Sequence, residues 1–127
     1  MSHAEKKLFK ILVADDEPEI CAILKLRLES NGYLVSSADN CTEAFNKVRR
    51  ERPDLVILDM MMPDIGGIEL CKMIKNEPGL EKTPVFLISA AADLSGSPGG
   101  NGDCSDGKFV KPLETKKLLE RIAMLLK

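Results

Sequence analysis

The chain has 127 residues, with 20 acidic and 18 basic side chains, a formal net charge of −2, 44% hydrophobic residues and 30% charged ones. That balance fits one globular domain with its own core, and the lack of a basic block argues against direct binding of nucleic acid. No apolar run is long enough to cross a bilayer, and residues 1–7 lack the apolar stretch of a signal peptide, so a cytoplasmic domain with no membrane contact is expected.

Leu8 to Ala14 predicts a buried strand, and Asp15-Asp16 follow it directly. Pro18 opens a helix, because a first-turn residue has no intrahelical N–H bond to lose. Ile20, Ile23, Leu24 and Leu28 supply its apolar face, and Asn31-Gly32 ends it. Tyr33 to Ala38 is the second strand. Asp39, Asn40 and Thr42 are candidate N-caps for a helix from about Thr42 to Arg52, with Ala44, Phe45 and Val48 inward and Pro53 as its stop. Leu55 to Leu58 is the third strand and closes on Asp59. A loop, Met60-Met61-Met62-Pro63-Asp64-Ile65-Gly66-Gly67, leads to a helix ending near Asn76, with Leu70, Met73 and Ile74 inward. Pro84 to Ser89 is the fourth strand. Lys108 to Val110 is a short fifth, followed by Lys111-Pro112. Leu113 to Leu126 is a terminal helix, with Leu118, Leu119, Ile122, Leu125 and Leu126 facing the core.

Strands alternating with helices predict an α/β fold: a doubly wound, five-stranded parallel sheet covered on both faces, flavodoxin-like, with strand order 2-1-3-4-5. That order sets Asp15-Asp16 beside Asp59 at the carboxyl edge of the sheet. One stretch interrupts the alternation. Residues 93–107 carry five glycines and a proline where another helix is expected, and predict a flexible segment with that helix degraded or absent. Cys21, Cys41, Cys71 and Cys104 form no C-x-x-C pair and read as free thiols. His3, the one histidine, sits in the N-terminal tail, which leaves a zinc site or a Ser-His-Asp triad without a partner.

Four strand ends thus carry an acid pair, an acid, a hydroxyl and an amine. Asp15, Asp16 and Asp59 gathered without a cation would repel one another, and hard carboxylate oxygens suit Mg²⁺. Lys111 offers a fixed positive charge and Ser89 a hydroxyl for a phosphoryl oxygen, while small Ala90 leaves room. Asp59 is placed for in-line attack that would form an acyl phosphate. Taken alone, Asp15-Asp16 could equally be helix N-terminal acids, and Glu17 beside them reads as an exposed acid at a helix start. Gly102 to Lys108 imitates a nucleotide-binding loop, but Phe109 and a strand follow it.

Asp15-Asp16, Asp59, Met62-Pro63-Asp64, Gly66-Gly67, Ser89-Ala90 and Lys111-Pro112 together resemble the receiver domain of two-component response regulators. The resemblance covers essentially all of residues 1–127, with a core from about residue 8 and a tail over 1–7. It implies that Asp59 accepts the phosphoryl group. It implies that Asp16, Asp59 and the Met61 backbone carbonyl bind Mg²⁺, with Mn²⁺ as a substitute, and that Asp15 acts through a coordinated water. Lys111 would pair with the phosphoryl group and Ser89 would be the switch hydroxyl. The implied partner is a sensor histidine kinase or a histidine phosphotransfer protein. Two positions depart from the family: Lys108 stands where it usually has Tyr or Phe, with Phe109 one residue out of register, and residues 93–107 replace a helix. Two other classes stay in view. One is a degenerate receiver that binds partners without phosphorylation. The other is a Mg²⁺-dependent phosphohydrolase with an Asp nucleophile, which would need a second Asp where Met61 stands.

Overall fold

The computed structural model describes residues 8–90 and 105–126. The expected tail over 1–7, His3, Cys104 and most of the glycine-rich segment 93–107 lie outside the described residues. The elements are β1 (Lys10–Ala14), α1 (Pro18–Ser30), β2 (Leu34–Ala38), α2 (Cys41–Glu51), β3 (Leu55–Asp59), α3 (Gly67–Asn76), β4 (Val85–Ala90), β5 (Gly107–Lys111) and α4 (Thr115–Leu125). All strand pairs are parallel and the order is β2-β1-β3-β4-β5, as the alternation predicts.

Strand pleating sends alternate residues to opposite faces, and the core divides accordingly. Leu12, Ala14, Val56, Leu58, Val85 and Leu87 meet Ala44 and Val48 of α2 and Leu70 and Ile74 of α3. Ile11, Val13, Leu55, Ile57, Phe86 and Ile88 meet Leu24 and Leu28 of α1 and Leu118 and Ile122 of α4. Every residue of β3 is buried, so the central strand can carry an unbroken apolar run from Leu55 to Leu58 before Asp59. Full burial of each such side chain contributes roughly 1.5–3 kcal/mol.

Helix ends follow local chemistry. Pro18 stands at the start of α1 and Gly32 follows its end with φ +92°. Asn40 caps α2 by accepting from Glu43 N at 2.8 Å. Two inward expectations fail: Ile23 on α1 is 50% exposed and Leu125 on α4 is 46% exposed. Both helices carry more apolar residues than one face can hold, so the helical phase leaves some outside. β5 extends one residue beyond each end of the expected Lys108–Val110, because pairing with β4 recruits Gly107 and Lys111. Cys21, Cys41 and Cys71 are free thiols, half-buried or buried, as expected.

Candidate functional site

Parallel register brings the strand ends level. Ala14 lies across from Leu58 and from Ala38, Asp59 from Ile88, and Ala90 from Lys111. The residues just past β1 and at the ends of β3, β4 and β5 therefore share one edge of the sheet. One ligand oxygen from each of Asp15, Asp16, Glu17 and Asp59 falls within 4.8 Å of the others. Lys111 Nζ reaches three of these carboxylates: Glu17 Oε2 at 3.0 Å, Asp15 Oδ2 at 3.2 Å and Asp59 Oδ2 at 3.4 Å.

The acids differ in setting. Asp15 is 1% exposed and Asp59 is also buried, whereas Asp16 and Glu17 are open to solvent. Asp15 Oδ1 accepts from Glu17 N at 2.9 Å. Its Oδ2 lies at ion-pair distance from Lys111 yet has no aligned hydrogen bond. Burial raises the Asp15 carboxyl to about 6; the Glu17 amide opposes the rise and the Asp59 charge adds to it. For Lys111, burial works to lower the pKa, but the Glu17 hydrogen bond and the Asp15 and Asp59 charges prevail and hold it above its ordinary value. A buried, under-bonded carboxylate oxygen beside further hard oxygens is a donor set that fits a divalent cation such as Mg²⁺.

Asp59 is held from two sides. Met61 N donates to its Oδ1 at 3.1 Å, and Lys111 Nζ to its Oδ2. Met61 is 63% exposed while Met62 packs into the core, so the loop crosses the sheet end with one methionine in and one out. Ser89 is buried at the end of β4. Phe109, level with Ile88, packs against Phe86 with the rings tilted by 53° and their centroids 5.1 Å apart; Lys108, level with Leu87, takes the other face and is half-buried. Phe109 thus lies on the face opposite to Lys108, as strand alternation predicts.

Gly66 and Gly67 shape this loop. Gly66 has φ +99°. A Cβ on Gly67 would sit 2.6 Å from Asp59 O and 2.8 Å from Met60 Cα, so only glycine lets α3 start this close to the end of β3. Asp64 has a role that sequence reasoning missed. Its carboxylate accepts from Cys41 N at 3.0 Å and Thr42 N at 3.1 Å, capping α2 from a distant loop. These bonds, Cys41 first, lower its pKa to about 2. Also missed was the contact of Glu17 with Lys111. The only local signal was its position next to two acids.

The class defined by fold and site is a doubly wound α/β domain with acids, a hydroxyl and a lysine at the carboxyl edge of its sheet. The sequence pattern of the response regulator receiver domain matches residues 11–123, and the chain belongs to that family. It is 33% identical over 118 residues, 93% of its length, to the phosphate regulon transcriptional regulatory protein PhoB of Rhizobium meliloti, and covers 52% of that protein. It therefore spans about half the length of the curated relatives it matches. Among solved structures, a response regulator from Chloroflexus aurantiacus superposes with a TM-score of 0.86 at 29% identity, covering 94% of this chain and 98% of that one. The response regulator TrrA of Thermotoga maritima, solved in complex with Mg²⁺-BeF, gives 0.82 at 33% identity, over 94% of this chain and 100% of that one. No helix among the described residues is long and apolar enough to cross a membrane.

Proposed function

We propose that this receiver domain takes a phosphoryl group from a phosphohistidine onto Asp59, at a site completed by Mg²⁺ or Mn²⁺. The observation that supports this best is Asp59 held by both Met61 N and Lys111 Nζ beside the buried, under-bonded Asp15. Asp16, Asp59 and the Met61 carbonyl would hold the cation directly, and Asp15 through a water. When bound, the cation supplies the hard positive charge that offsets these carboxylates and the transferred oxygens.

The two hydrogen bonds on Asp59 fix its carboxylate before a donor arrives, which removes orientational freedom from the attack. A carboxylate oxygen forms the new bond to phosphorus as the P–N bond breaks. The electron pair goes to the imidazole nitrogen, and a solvent proton completes the neutral ring. Lys111 then shifts from carboxylates to the phosphoryl oxygens, and Ser89 donates its hydroxyl to one of them. The donor is a sensor histidine kinase or a histidine phosphotransfer protein, and the domain works in the cytoplasm. Residues 1–127 act as one receiver unit.

The test is incubation with acetyl phosphate and Mg²⁺, read on a phosphate-affinity gel. A shifted band is expected for wild type, and none for Asp59→Asn or in EDTA. Unlabelled wild type, or a band that survives in Asp59→Asn, overturns the assignment.

A further inference from the structure

Lys111 is crowded by carboxylates. An ammonium has three N–H donors, and three carboxylates already stand within 3.4 Å of this one. Hydrogen bonds from the amine run to Glu17 and Asp59, so a phosphoryl oxygen arriving on Asp59 competes with the Glu17 carboxylate for the same positive charge. Asp15 is 1% exposed and anchored by the Glu17 amide, and Asp59 is the residue that carries the group. Glu17 is different. Its side chain is 57% exposed, so water can take over its carboxylate at once. It is also the shortest of the three contacts, at 3.0 Å.

We propose that Glu17 is a positioning residue that gates Lys111: it holds the amine in the resting domain and competes with a phosphoryl oxygen for it. The inference rests on the phosphoacceptor reading above and deepens it. The gate sets how strongly the phosphorylated state is favoured over the resting one. An exposed Lys–Glu pair is weak, so its removal should shift that balance by roughly 1.5- to 5-fold. Glu17 makes no side-chain capping bond at the start of α1, so its carboxylate can be neutralised without loss of a helix cap.

The probe is beryllofluoride, a phosphoryl mimic, titrated into the full chain at saturating Mg²⁺ and followed by ¹⁹F NMR. Saturating metal keeps any change in Mg²⁺ affinity out of the readout. Glu17→Gln should bind beryllofluoride about 1.5 to 5 times more tightly than wild type, and the gain should shrink in high salt. Glu19→Gln removes an acid from the first turn of the same helix that forms no ion pair with Lys111. It should match wild type. Equal or weaker binding by Glu17→Gln, or an equal gain from Glu19→Gln, overturns the gate while leaving the phosphoacceptor reading intact. A wild type that takes up no beryllofluoride overturns both.

Discussion

Replacing Asp15 with Asn tests whether burial of that carboxylate burdens the metal-free fold. In the folded domain the group rises from 3.8 to about 6, chiefly by burial. A folded pKa above the unfolded one means that the folded chain holds more protons between about pH 4 and 6. Metal-free stability should therefore fall as pH rises through that window and stay low above it. At about 1.4 kcal/mol per pH unit, the ionised carboxylate costs up to about 3 kcal/mol at pH 7.5. Asn keeps an acceptor for Glu17 N but gives Lys111 one negative partner fewer, so a net gain of about 1–2 kcal/mol is expected. The assay is urea unfolding in EDTA at pH 5 and pH 7.5. Asn should stabilise at pH 7.5 and have little effect at pH 5. Mg²⁺ should stabilise wild type more than the variant, and its affinity for wild type should drop as pH falls below 6. A variant less stable than wild type in EDTA at pH 7.5 would refute the reasoning.

Asp64→Ala removes the distant cap on α2 and should cost about 0.5–2 kcal/mol in urea unfolding at neutral pH. The difference should vanish as pH falls toward 2, where the carboxyl protonates; unchanged stability at pH 7 would show that the cap is idle. Gly67→Ala presses a methyl onto the backbone of Asp59 and Met60, which cannot rotate aside, and should destabilise by about 1–3 kcal/mol. It should also slow labelling of Asp59 by acetyl phosphate. A variant as stable as wild type would mean that the loop yields at no cost.

Much of the fold can be read along the chain because each strand is a short apolar run closed by a polar residue. Val13-Ala14-Asp15 and Leu58-Asp59 show where the core stops. The site was legible for the same reason: parallel strands in this order must place their ends together. Legibility failed where a partner is remote or a pattern ambiguous. Ile23 and Leu125 are apolar at plausible helical positions, yet the phase of packing turns them outward. Asp64 reads as a loop acid until α2, 23 residues before it, presents two free amides. β5 gained both of its ends from pairing with β4.

The sequence by itself determined the order of elements and the chemical group at each strand end, since periodicity and turn chemistry are properties of neighbouring residues. Tertiary structure alone decided how those groups differ. Asp15 and Asp16 are adjacent and chemically identical, but one is buried under Lys111 and the other faces water. Glu17 became a partner of Lys111 across 94 residues, and Asp59 across 52. Burial and ion pairing depend on which distant groups the sheet brings to one edge, and no local pattern carries that information.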